Sequence, residues 1–187
     1  MRIIAGSARG IPLKSPLDSL IRPTLDRVRE SLFNMLIHHV EDSRFLDLYA
    51  GTGAVGIEAL SRGATLTVFV DQSSDSIELI QQNLVKTRLN TRGKSKKAQL
   101  PQALSALGLK TTFNIIFADP PYDTADLKPL LSEIHLSKIL DEDGFLIIEH
   151  SSKLEIPETE GSLRLSRKKV YGTTQMSWYE IDDTYVR

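Results

Sequence analysis

Apolar positions along the chain follow two spacings. Short runs of strand length recur at Phe45–Leu48, Leu66–Val70, Phe113–Ala118 and Gly144–Glu149. Between them, apolar residues return every three or four positions, the period of a helix packed on one face. Ala54–Leu60 has that spacing, and so has Ser74–Arg88, where Ile77, Ile80, Leu84 and Val85 predict the buried stripe. Leu127–Leu140 predicts a further helix, and Gln102–Leu109 a short one after Pro101. Upstream, Val28, Leu32, Met35, Leu36 and Val40 predict a helix that opens at Arg22-Pro23-Thr24, with Thr24 as its cap. Arg2–Ala5 and Ile11–Leu13 flank Gly6–Gly10 and predict a hairpin, which Pro12 and Pro16 confine to an edge or arm. Thr91–Lys97 reads as a basic loop and Lys97–Leu100 as a weak strand. Leu163–Val170 and Gln175–Ile181 predict a terminal strand pair joined near Tyr171-Gly172-Thr173-Thr174.

Strands that alternate with helices imply a parallel sheet covered on both faces. Two C-terminal strands with a short link must pair antiparallel. The expected fold is therefore α/β, with a mostly parallel, seven-stranded sheet, an antiparallel C-terminal hairpin, and an N-terminal β-hairpin and helix. The 187 residues suit one domain. Its expected parts are a hairpin arm over 1–21, a helix over 22–40 and an α/β core over 41–187.

Composition narrows the chemistry. There is no cysteine, so disulfides, thiolate metal sites and cysteine nucleophiles are excluded. No apolar run approaches the roughly 20 residues that span a bilayer, and MRIIAGSARG lacks the apolar segment of a signal peptide. A cytoplasmic protein without membrane contact is expected. Net charge is −1, but basic residues cluster. Arg2, Arg9, Arg22 and Arg27 lie near the N-terminus and are candidates for phosphate contacts. The Lys86–Lys97 cluster reads as a solvated face. His38 and His39 diverge on a helix by about 100°, and His135 and His150 lack ligand spacing, so no metal is expected.

The stretch Phe45–Ala64, FLDLYAGTGAVGIEALSRGA, reads as strand, glycine-rich turn and helix. Gly51-Thr52-Gly53-Ala54-Val55-Gly56 matches G-x-G-x-x-G, and Asp71 ends the next strand, which would suit a dinucleotide. No Lys-Ser/Thr follows the glycines, which excludes a triphosphate loop. Asp47, inside the strand, would repel a pyrophosphate yet could hold a cationic or amino-bearing ligand directly or through water. S-adenosylmethionine, which has no phosphate and carries a sulfonium, fits Asp47, Gly51 and Gly53 better than NAD does. Asp71 can accept both ribose hydroxyl hydrogens of an adenosine.

Asp119-Pro120-Pro121-Tyr122 follows an apolar strand, at the end where ligands bind in open α/β sheets. The prolines fix φ and hold Asp119 in an extended presentation. An exocyclic base amine is a poor nucleophile because its lone pair is delocalised. Asp119 and a backbone carbonyl could accept its N–H groups, direct the lone pair to a methyl group and take up the proton. Tyr122 would stack on the base. The alternatives at this point are an adenine-N6 methyltransferase, an NAD-dependent oxidoreductase and a binding module that lost catalysis.

On Met1–Gly6, Arg22–Asn34, Leu46–Ala64, Phe117–Tyr122 and Tyr171–Thr174, the chain resembles the RsmD family of bacterial small-subunit (16S) rRNA guanine-N2 methyltransferases. The resemblance implies a Rossmann-like class I methyltransferase fold, with S-adenosylmethionine among Asp47, Gly51, Gly53 and Asp71. It implies that Asp119–Tyr122 hold the target guanine and that the substrate is rRNA in a partly assembled subunit. Gln102 stands where such enzymes place a polar group near the adenine, and it is the candidate for that contact.

Overall fold

The computed structural model describes residues 1–15, 23–105, 111–121 and 126–182, with the side chains of 23–26 left aside. The chain packs as two compact units, Met1–Lys97 and Ala98–Arg187.

In the first unit the helix α1 spans Pro23–Met35, followed by β1 (Arg44–Leu48), α2 (Ala54–Ser61), β2 (Leu66–Asp71), α3 (Ser74–Thr87) and β3 (Gly93–Lys97). Pro23 opens α1, where its missing N–H costs nothing, so the helix starts one residue before the expected cap Thr24. The expected stripe is buried at Val28, Leu32, Leu36 and Val40, although the regular helix stops at Met35 and the chain continues in turns. Phe33 stacks on Phe45 of β1, with ring centroids 6.4 Å apart. β1 and β2 run parallel from Arg44 opposite Leu66 to Leu48 opposite Val70. The segment read as a basic loop is β3, parallel to β2 from Thr67 opposite Gly93 to Asp71 opposite Lys97. Its sequence GKSKK holds no apolar residue, so the pattern carried no strand signal, and lysines suit a strand with one free side. Val85 is 64% exposed instead of facing in, and Asn83 takes the buried position.

The arm is a tight turn with the single bridge Arg2 to Pro12, closed by Ile3 N–H to Ile11 O and Gly10 N–H to Ile3 O. It docks on α2. Glu58 accepts the N–H groups of Ile4 and Ala5 at 2.8 and 3.0 Å. Ser61 accepts from Ala8 N–H and donates to Ala5 O. A Cβ on Gly6 would lie 1.9 Å from Ser61 O, so only glycine allows this approach.

In the second unit β4 spans Phe113–Ala118, α4 Lys128–Ser137, β5 Leu140–Ser151, β6 Thr159–Glu160, β7 Leu163–Tyr171 and β8 Thr174–Ile181. The order is β4-β5-β8-β7-β6. β4 and β5 are parallel, and the others pair antiparallel. α4 stops at Ser137, three residues earlier than expected, because Lys138 turns left-handed with φ 49. β5 then starts at Leu140, four residues before the expected Gly144, since its acidic opening Asp141–Asp143 masks the strand. The two-residue β6 raises the strand number to eight among the described residues, against seven expected. Residues 101–105 form turns where a helix from Gln102 was expected, and its remainder lies outside the described residues. No helix among the described residues is long and apolar enough to cross a membrane.

Gly56 decides how closely α2 approaches β2. A Cβ there would lie 2.4 Å from Phe69 Cε1 and 2.7 Å from Thr67 Cγ2. Helix propensity alone would favour alanine by about 1 kcal/mol. The overlap with a fully buried ring outweighs it. Gly56→Ala should lose about 1–3 kcal/mol of stability, read as a lower urea midpoint at unchanged slope.

Candidate functional site

In the first unit the functional turn runs from Tyr49 to Gly53. Tyr49, Gly51 and Gly53 all take positive φ, at 59, 52 and 75°. Gly53 N–H donates to Ala50 O at 2.7 Å, which closes the turn, and Gly53 caps α2. A Cβ on Gly51 would meet nothing within 4 Å, so this backbone lies open to a ligand. Asp71 ties the turn to the end of β2. Its Oδ2 accepts Gly51 N–H and its Oδ1 accepts Ser73 N–H, each at 2.8 Å. A carboxylate oxygen can accept more than one bond, so Asp71 retains acceptor capacity for ribose hydroxyls. Asp47 is 2% exposed, and its Oδ2 accepts Gly56 N–H at 2.9 Å. It clamps α2 to β1 beneath the turn. Burial raises the Tyr49 hydroxyl to about 12, so Tyr49 stays neutral at physiological pH. The open backbone at Gly51 with an acid beside it fits a nucleoside cofactor that brings no phosphate.

In the second unit Asp119 follows β4, with Pro120 buried and Pro121 exposed. Tyr122 lies outside the described residues. Gln102 is exposed in the turn after Pro101. Ala118 stands opposite Ile148 in the parallel pair, so Asp119 comes next to Glu149, the following residue of β5. Glu149 is 6% exposed, whereas Asp119 reaches solvent. Loss of hydration raises both carboxyls above their usual range, and Asp119 raises Glu149 further. The two carboxyls titrate as a coupled pair, in which burial and mutual repulsion favour keeping a proton. Asp119 is thus the accessible carboxyl of the pair.

Glu149 escaped the sequence reading because its strand read as plain buried sheet. A charged residue at the end of such a strand, next to the Asp-Pro-Pro strand, was the available signal. Asn83 also escaped, since a polar residue in the middle of a helix usually faces water. It is fully buried, and its amide reaches the glycine turn. Of the basic candidates, Arg2, Arg9 and Arg27 are exposed, and Arg22 lies outside the described residues. His150 is held by Ser151 O and Ser177 Oγ, and burial first of all lowers its pKa. No cluster of metal-ligating residues occurs among the described residues. A cavity of about 790 Å³ is lined by Thr112, His135, Lys138 and Asp141. Thr112 precedes β4 and Asp141 lies early in β5, so it sits at the opposite strand ends from Asp119 and Glu149.

The raised Glu149 has a consequence for stability. Its folded pKa lies above its unfolded value, so above about pH 4.5 the native state keeps a proton that the unfolded chain releases. Stability then falls as pH rises towards the native value and stays reduced beyond it. Glu149→Gln removes this loss. Relative to the parent, the variant should gain stability in urea titrations as pH rises from 5 to about 8. A difference between the two proteins that does not change with pH would contradict the assignment.

A family model described as Conserved hypothetical protein 95 matches residues 1–180. The chain is 41% identical to YlbH of Bacillus subtilis over 181 residues, which cover 96% of this chain and 98% of that one. It is 32% identical to Ribosomal RNA small subunit methyltransferase D of Escherichia coli, covering 96% and 89%. Among solved structures, the methyltransferase-titled yhhF of Escherichia coli superposes with a TM-score of 0.84 at 32% identity, covering 97% of this chain and 98% of that chain. A hypothetical protein from Thermus thermophilus gives 0.78 at 31%, covering 97% and 99%. The fold is that of the class I methyltransferases.

Proposed function

The chain belongs to the RsmD family, and on that premise we propose that it methylates the exocyclic N2 amine of a guanine in small-subunit (16S) rRNA. S-adenosylmethionine is the cofactor and supplies a methyl group on a sulfonium sulfur. Gly51 and Gly53 offer the backbone for it, Asp71 takes the ribose hydroxyls and Asp47 holds the turn in shape. Gln102 is assigned to the adenine edge. The observation that carries the reaction type is Asp119, an accessible carboxyl at the end of β4 with its neighbouring prolines and the buried Glu149 beside it.

Asp119 accepts an N–H of the target amine. That bond would draw the lone pair out of conjugation and towards the methyl carbon; as the C–N bond forms the methyl–sulfur bond would break, leaving a neutral thioether, and Asp119 would take the proton from nitrogen. Pro120 and Pro121 limit backbone motion, so the carboxylate keeps its aim. On its motif, Tyr122 stacks on the base. Reaching the amine requires an unpaired or flipped-out guanine. Arg2, Arg9, Arg22 and Arg27 bear on rRNA phosphates, with a partly assembled subunit as the substrate particle.

Mass mapping of nucleosides in rRNA from cells with and without the gene tests the reaction. One N2-methylguanosine should vanish with the gene and return with the parent protein. It should not return with Asp119→Ala, whose turnover should fall by about 10²–10⁴-fold as for loss of a general base. Appearance of N6-methyladenosine as the gene-dependent product would instead support the adenine alternative.

The arm makes a second, separate prediction. Arg2→Ala with Arg9→Ala should weaken RNA binding and reduce the slope of log K against log salt by about 1–2. Filter binding across a salt series checks it. An unchanged slope would remove the arm from the RNA contact.

A further inference from the structure

The side chain of Asn83 sits at the centre of α3, and every hydrogen-bonding group on it is used. Its Oδ1 accepts Lys14 N–H at 2.7 Å. Its Nδ2 donates to Lys14 O and to Thr52 O, both at 3.0 Å. The residue is fully buried. The orientation is set by chemistry, since turning the amide over would face its oxygen with two carbonyls and its NH₂ with an N–H. Lys14 is tied to the same helix again, by its Nζ to Gln82 Oε1 at 2.9 Å. Thr52 is the residue between Gly51 and Gly53. It also meets the beginning of the arm, where its Oγ1 lies 3.8 Å from Met1 Sδ.

The arm and the glycine turn therefore share one buried amide. If residue 14 leaves α3, Asn83 loses two of its three bonds and is left as a mostly unsatisfied buried group. Such a group costs about 1–3 kcal/mol, and its relief would be a rotation that also frees Thr52 O. With the arm docked, the turn takes its left-handed run at Tyr49, Gly51 and Gly53. A ligand that needs the turn in that shape binds the docked state better, and by linkage it must hold the arm in place.

We propose that Asn83 is a positioning residue that couples the N-terminal arm to the cofactor turn, so that cofactor binding and arm docking favour each other. The inference rests on the functional reading above, in which the turn takes S-adenosylmethionine and the arm bears on RNA. It adds an order to that reading: the loaded enzyme presents a fixed arm, with Arg2 and Arg9 exposed, to the RNA.

Hydrogen exchange and calorimetry with S-adenosylhomocysteine test the coupling without turnover. In the parent protein, saturation with this ligand should slow exchange at the amides of Ile4, Ala5 and Lys14 by about fivefold or more, the scale of one hydrogen bond. Asn83→Asp keeps the volume and the acceptor for Lys14 N–H but loses both donors. Lys14→Pro removes the donor on the arm and leaves Asn83 intact. Both variants should bind S-adenosylhomocysteine about fivefold more weakly, with arm exchange no longer responsive to it. A role in stability alone would change the baseline exchange and leave the response to ligand in place, and that result overturns the proposal. So does unchanged affinity in Lys14→Pro. Failure of the parent protein to bind S-adenosylhomocysteine at all would strike the functional reading itself.

Discussion

The distance between α2 and β2 is the constraint on which the first unit depends. Gly56 lets the helix axis come within reach of the Phe69 ring, and Asp47 grips the same residue by its N–H at 2.9 Å. The bond to Asp47 also holds the helix close to β1, the strand it follows, and the chain must reverse between them. The reversal is made with positive φ at Tyr49, Gly51 and Gly53, which leaves the backbone at Gly51 uncovered. The same helix carries Glu58, which is completely buried. An isolated carboxylate there would cost several kcal/mol. Two arm amides and the Arg62 guanidinium, at 2.7 Å, offset that cost. The arm is thus needed by the helix as much as it is held by it.

The second unit builds its chemistry from strand register. Parallel neighbours end side by side, so the residue after Ala118 and the residue after Ile148 meet at one end. One of them, Asp119, reaches water, and the other, Glu149, does not. Two carboxyls so close cannot both ionise cheaply, so loss of hydration raises both and the charge of Asp119 raises Glu149 further. The site thus offers one accessible carboxyl, backed by a buried one. His150, the next residue along β5, is held apart by Ser177 and Ser151 in its own network.

Elements with strong apolar periodicity were legible in the sequence. β4 has the predicted bounds Phe113–Ala118, and the α1 stripe from Val28 to Val40 is buried as its spacing implied. The glycine turn and Asp71 were legible because glycine and an acid at a strand end have few other uses together. What failed to show was structure held by backbone bonds alone. GKSKK becomes β3 through its pairing with β2, with no side-chain pattern to announce it. Asp141–Asp143 joins β5 in spite of its charge. Val85 faces water where it was expected to face in, and the burial of Asn83 went unforeseen because a partner for its amide, Lys14, lies 69 residues away in sequence.

That arrangement shows which force dominates inside α3. Burying Val85 would release about 1.5–3 kcal/mol of apolar transfer energy, and asparagine in mid-helix is disfavoured by about 0.7 kcal/mol against alanine. The transfer term opposes the observed arrangement, in which valine faces water and asparagine faces in, and the propensity term adds to the cost of asparagine whichever way it faces. The balance is restored by three hydrogen bonds of a buried amide, each worth about 0.5–1.5 kcal/mol net, which engage Lys14 and the carbonyl of Thr52. Backbone polar groups of the arm and the turn must find partners somewhere, and the short bridge of the arm does not extend to Lys14. An amide is the one small side chain that offers two donors and an acceptor from a single position. Its burial is therefore dictated by the unmet groups around it, and the helix accepts a poorer apolar face in return.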